Sequence, residues 1–124
     1  MQYQVETPYI KIGINEGIVY CLYTDKLEMN VEIAEFCVNA RLKIQGSENY
    51  PVLIDMRGIR SVSKEARSYL SKEGIKGIIA GALIINSALT RMLGNVFLLI
   101  DKPVVPTRLF TDEKEALEWL KTFL

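Results

Sequence analysis

The sequence predicts an α/β fold in one domain spanning 1–124: a mixed sheet with an N-terminal antiparallel hairpin, then parallel strands, with four helices. Three observations predict it. "YIKIGINEGIVYCLYT" (9–24) alternates at period two on either side of an Asn-Glu-Gly turn. "GIIAGALII" (77–85) is apolar throughout, as strands covered on both faces are. The other apolar segments alternate between strand-like runs and helical spacing, the order that builds parallel sheets.

Taken in order, Ile10, Ile12 and Ile14 form one side of the first hairpin strand, and "IVYCLYT" returns. Asn30 is placed to cap a helix over 31–45, with Ile33, Phe36, Cys37, Ala40 and Ile44 as its core stripe. Glu32, Glu35, Asn39 and Lys43 take the solvated face. "YPVLID" (50–55) is a short strand with proline near its start, where it is tolerated. Ser63 caps a helix to Glu73, and Gly74 is placed to end it with a positive φ. After the 77–85 strand, Ser87 caps a helix whose core stripe is Leu89, Met92, Leu93, Val96 and Ile100. Gly94 within it marks close packing, and "DKP" ends it. "VVPTRLF" (104–110) is a last strand, placed at an edge by Pro106. Asp112 and Glu115 have capping-box spacing. Ala116, Leu117, Leu120 and Phe123 then form a buried face with Trp119 at its margin.

Composition excludes several chemistries. Lys plus Arg number 15 and Asp plus Glu 15, so no basic face for nucleic acid is expected. Histidine is absent, which removes the commonest general base and zinc ligand. Cys21 and Cys37 form no CxxC pair, so no metal site and no cofactor is expected. Both thiols sit among apolar residues and read as buried and reduced. The start "MQYQVETPYI" lacks the basic and apolar regions of a signal peptide, and the apolar run after Gly77 is broken by Asn86, Ser87, Thr90, Arg91 and Asn95. A cytoplasmic protein without a membrane span follows.

The segments "VLIDMRGI" (52–59), "ALIINSALTRMLGNVFL" (82–98) and "RLFTDEKEALEWL" (108–120) resemble the STAS fold of bacterial anti-sigma factor antagonists. The closer resemblance is to the SpoIIAA-like family, related to STAS and to lipid-binding SEC14-type domains. The resemblance spans nearly the whole chain. In the antagonists the strand-end aspartate is followed by Asp-Ser-Ser-Gly at a helix start, and the first serine there is phosphorylated. Here those positions read Ser63, Lys64, Glu65, Ala66, so the phosphoserine position is a lysine and the switch is missing. Ser63 is explained as an N-cap.

Two groups of residues are candidates for function. Asp55, Arg57 and Arg60 follow one strand's carboxyl end, and Asn86, Ser87 and Arg91 follow the next. Ligands of open α/β sheets gather there, and helix N-termini favour anions. An anion or headgroup site is one reading. The other is two capped helices with a surface Asp–Arg pair, and caps alone explain both serines. Tyr20 and Tyr23, on opposite faces of the return strand, and Trp119 and Phe123 near the C-terminus are candidates for an interface. The expected function is a non-catalytic regulatory or protein-interaction module, a homodimer formed through the hairpin or the last helix, with a further protein partner. The alternative is a carrier of a small apolar or lipid-like ligand.

Overall fold

Residues 2–124 are described by the structure, a computed structural model. Strand β1 is Val5–Glu6, β2 Ile10–Asn15, β3 Ile18–Tyr23 and β4 Leu27–Met29. Helix α1 (Val31–Gln45) leads to β5 (Tyr50–Asp55), β6 (Ile59–Val62) and α2 (Lys64–Lys72). Then come β7 (Ile78–Ile84), α3 (Ala88–Val96), β8 (Thr107–Phe110) and α4 (Glu113–Lys121). The main sheet has the order β1-β2-β3-β5-β7-β8. Its first pairs are antiparallel and its later ones parallel. The mixed sheet, the hairpin and the four helices are as the sequence predicts.

Glu16 and Gly17 join β2 to β3 with φ of 51° and 81°. Two successive left-handed residues make the tight turn whose twist matches a hairpin. The alternation then divides β3. Val19 and Cys21 pack with Ile10, Ile12, Cys37 and Val52 on the side covered by α1. Ile18 and Tyr20 pack with Leu53, Ala80, Ala82, Ala116 and Leu120 on the side covered by α4. Alanines on β7 and α4 let that lone helix approach the sheet closely. Helices α2 and α3 complete the first side over Leu83 and Ile85.

The caps form as expected at three helices. Asn30 Oδ1 accepts from Ile33 N at 2.8 Å, and Ser63 Oγ accepts from Ala66 N at 3.1 Å. Ser87 Oγ accepts from Thr90 N, and Thr90 Oγ1 accepts from Ser87 N, a reciprocal box. At α4 Asp112 accepts from Lys114 N alone, so the box expected with Glu115 is not made. Ser63→Ala is expected to cost about 1 kcal/mol. Urea denaturation checks this; a loss below a few tenths would mean the hydroxyl does not cap in solution.

Four expectations are corrected. Of the expected α1 stripe, Cys37 is buried and Ile33, Ala40 and Ile44 pack against the core, but Phe36 is 46% exposed, and the buried face extends one position round to Ala34, Val38, Arg41 and Gln45. Phe36 instead stands edge-on to Tyr9 at 5.5 Å. In α3, Thr90 and Gly94 are the buried residues, while Leu89, Met92 and Ile100 face outward. Gly94 permits this. A Cβ there would lie 2.7 Å from Leu109 Cδ2, so the helix meets the sheet through its smallest residue. Third, Gly74 does not end α2 with a positive φ. The chain tightens into a 3-10 turn, Glu73–Ile75, and Gly77 takes the left-handed conformation at φ 79°. Fourth, three strands are unforeseen: β1 adds a two-residue edge to the hairpin, and β4 and β6 form a small parallel sheet that closes one end of the core with Leu27, Met29 and Ile59.

Past Val96 the helix widens into a π turn, Phe97–Asp101, and ends at Lys102 with φ 46°. Strand β8 lies at the sheet edge, as Pro106 predicts.

Candidate functional site

The carboxyl ends of β3, β5 and β7 open onto a groove of about 500 Å3 lined by Lys11, Leu22, Tyr23, Thr24, Asp25, Asp55, Arg57, Gly58 and Asn86. Parallel pairing brings them together, because β5 places Asp55 beside Leu22 on one side and Ile84 on the other. Asp55 is 6% exposed and fully engaged. Its Oδ1 accepts from Arg57 N and Nε, and its Oδ2 from Arg57 Nη2 at 2.6 Å. This fork raises the Arg57 pKa, chiefly through the hydrogen bonds to Asp55. Arg57 and Lys11 are balanced by Asp55 and Asp25, so the groove carries no excess charge. Asp55 thus clamps its own loop, with both carboxylate oxygens bonded to Arg57.

Of the six residues expected beyond the strand ends, Asp55, Arg57 and Asn86 share this groove. Arg60 lies on β6, exposed. Ser87 spends its hydroxyl on the α3 cap. Arg91 is exposed one turn into α3. The four aromatic residues also divide. Tyr20, Trp119 and Phe123 pack on the α4 side of the sheet. There Trp119 contacts Phe110 and Phe123 at 5.6 and 5.0 Å, and the Arg108 guanidinium lies 5.4 Å from the Trp119 ring. Tyr23 packs on the opposite side with α1.

Beneath α1, α2 and α3 lies a second space, a partly open, largely apolar cavity of about 100 Å3. Ile54, Leu83, Leu93, Phe97 and Tyr23 are among its walls, and Arg41 and Arg67 are the only charged residues on them among the described residues. Arg41 is 4% exposed. Its Nη1 donates to Gln45 Oε1, and its Nη2 donates to Gly74 O and Lys76 O, both at 2.9 Å. These acceptors are all uncharged. Burial lowers the Arg41 pKa, partly opposed by the neighbouring Cys21 and Tyr23. Arg67 Nε lies 3.4 Å from Asp101 Oδ2 in the π turn, and both atoms are buried without a hydrogen bond. Sequence reasoning missed Arg41. The signal was present, since residue 41 continues the 34, 37, 38 spacing of the buried α1 stripe.

Cys21 and Cys37 are both buried and unpaired, as expected. Burial pushes each thiol from 9.0 up to about 12. Labelling by a thiol reagent at pH 8 should therefore be slower than for an exposed cysteine by orders of magnitude. Because these pKa values are raised on folding, their stabilising contribution is complete below the unfolded value. It is lost as pH rises from 9.0 toward about 12. Rapid labelling in native buffer would contradict the burial. No group of metal-ligating residues is found among the described residues, and no helix is long and apolar enough to cross a membrane.

A six-stranded mixed sheet with this crossover pattern and these strand-end loops is the SpoIIAA-like class of fold. A solved protein of that fold, an uncharacterised member of the DUF3478 family from Shewanella loihica PV-4, is similar over 94% of this chain and 98% of its own. The TM-score is 0.64 and the identity 18%. The chain itself belongs to the family described as a domain of unknown function, DUF7793, whose model matches residues 12–124. A second solved protein of unknown function, from Arthrobacter sp. FB24, shares 24% identity over 89% of this chain and 97% of its own, at a TM-score of 0.35. No curated protein matches the sequence.

Proposed function

We propose that this domain is a non-catalytic, cytoplasmic interaction module of bacterial type that self-associates and docks a protein partner. One observation carries the reading: α3 and its π turn present an outward apolar stripe. Met92 is 52% exposed and Leu99 69%, with Leu89 and Ile100 beside them. Apolar side chains clustered on one face of an element, with Arg91 and Asn95 alongside, are the composition of an interface rather than of scattered surface residues. The same stripe takes over the role first given to the hairpin and last helix, whose aromatic side chains are half-buried within their own core. Non-catalytic action is supported by the clamped Asp55, the raised thiols and the missing histidine. Buried reduced cysteines support a reducing compartment.

Light scattering at high micromolar concentration is expected to give twice the chain mass. The double substitution Leu99→Glu with Ile100→Glu should return it to the single-chain mass with an unchanged circular dichroism spectrum, because both side chains lie outside the core. A single-chain mass for the unaltered protein would refute self-association.

The apolar cavity beneath α1, α2 and α3 favours a second reading, a site for a small apolar ligand. Its volume is below the roughly 300 Å3 of a drug-sized pocket, so a small molecule is the occupant it would suit.

A further inference from the structure

The wall chemistry of the cavity specifies more than an apolar occupant. Its lining carries two guanidinium groups and no carboxylate. Arg41 is buried, and its bonds go to a side-chain amide and two backbone carbonyls. A buried cation without a counter-charge is costly, and neutral acceptors solvate it without neutralising it. Those three bonds use three of its five N–H donors, leaving two for a further acceptor.

Size sets the rest. A cavity of about 150 Å3 accepts benzene. The space here is about 100 Å3, which as it stands suits an apolar tail of roughly four carbons by the same scale. Its roof has a weak seam. Arg67 of α2 meets Asp101 of the π turn at 3.4 Å, and neither of the facing atoms makes a hydrogen bond.

Resting on the cavity reading above, we infer that the site takes a small apolar monocarboxylate, its tail against Leu83, Leu93 and Phe97 and its charge on Arg41. A carboxylate fits because one negative charge balances one guanidinium, and one of its oxygens can accept a charged hydrogen bond from a donor that Gln45, Gly74 and Lys76 leave free, Nε–H or the second Nη1–H. Binding is non-covalent, and no bond is made or broken.

The test titrates the purified protein with butanoate, pentanoate and hexanoate, and separately with the primary alcohols of equal chain length. Binding is followed by NMR shifts of Leu83, Leu93 and Phe97. The acids are expected to bind about tenfold or more tighter than the alcohols, as a charged hydrogen bond warrants. Arg41→Met should remove this preference, while Arg67→Met should keep it. If Arg41→Met does not fold, Arg67→Met decides, being the other wall cation: retained preference supports Arg41, and lost preference overturns the assignment. Equal binding of acids and alcohols would overturn the carboxylate and leave the apolar cavity standing. Absence of shifts with both series would overturn the cavity reading itself.

Discussion

Gly58→Ala is expected to destabilise the domain by about 2–3 kcal/mol, although it adds a single methyl group. The added Cβ would lie 2.7 Å from Thr24 O and 2.9 Å from Asp25 Cα. Both are backbone atoms, so no side chain can rotate away. The two loops are also tied by Leu27 N donating to Gly58 O at 3.2 Å, and the 56–59 loop is itself closed by Ile59 N donating to Met56 O at 3.1 Å. Relief therefore requires the 24–27 and 56–59 segments to part, which would disturb β4, β6 and the floor of the groove together. Gly81→Ala is the internal control. Its Cβ would meet only Thr107 side-chain atoms at 3.8 and 3.9 Å, ordinary contact distances. Urea midpoints of the two variants should differ widely, with Gly81→Ala near the parent. Equal midpoints would show that the loops separate at little cost.

The role of Gly58 illustrates which parts of the molecule the residues announce. Periodicity located the hairpin, the 50–55 strand and the 77–85 strand, because burial on alternate or on both faces leaves a pattern along the chain. Caps were legible at Asn30, Ser63 and Ser87 because a cap is a local bond between residues three apart. What failed was phase. On α1 the buried face is wider than the expected stripe, and the arginine within it argued against extending the stripe to Val38 and Arg41. On α3 the residues are apolar around most of the helix, so composition could not say which side met the sheet. Gly94 decided it, through a close approach to Leu109 that lies 15 residues away in sequence. Strands β4 and β6 are three and four residues long and stabilise each other only after the main sheet has brought them together. The groove was half legible. The strand-end rule found Asp55, Arg57 and Asn86, but it could not tell that Arg57 would turn back onto its own neighbour. The cavity was illegible, since a space between elements has no signature within any one of them.

Arg41→Met is expected to cost about 3 kcal/mol or more, the larger of the two effects. Methionine can replace much of the apolar stem, so the loss measures the guanidinium. Removing it strips donors from Gln45 Oε1, Gly74 O and Lys76 O, in a region where water is scarce. Each buried acceptor left unmade costs about 1–3 kcal/mol. Partial relaxation, together with relief of the desolvated charge, keeps the sum toward the lower end. The damage should be localised first at the 3-10 turn. Gly74 and Lys76 have their carbonyls held there by a residue 33 and 35 positions earlier, and Gln45 Nε2 also donates to Gly77 O. Amide exchange in 73–78 should therefore rise before the sheet itself loosens. Arg41→Lys should recover only part of the loss, because an ammonium cannot reach three acceptors with the geometry of a planar fork. Arg60→Ala and Arg91→Ala, at exposed positions, should fall within about 0.5 kcal/mol of the parent. A cost below 1 kcal/mol for Arg41→Met would mean that these carbonyls find water once the guanidinium is gone. In that case the wall beside Arg41 is wetter than its 4% exposure implies.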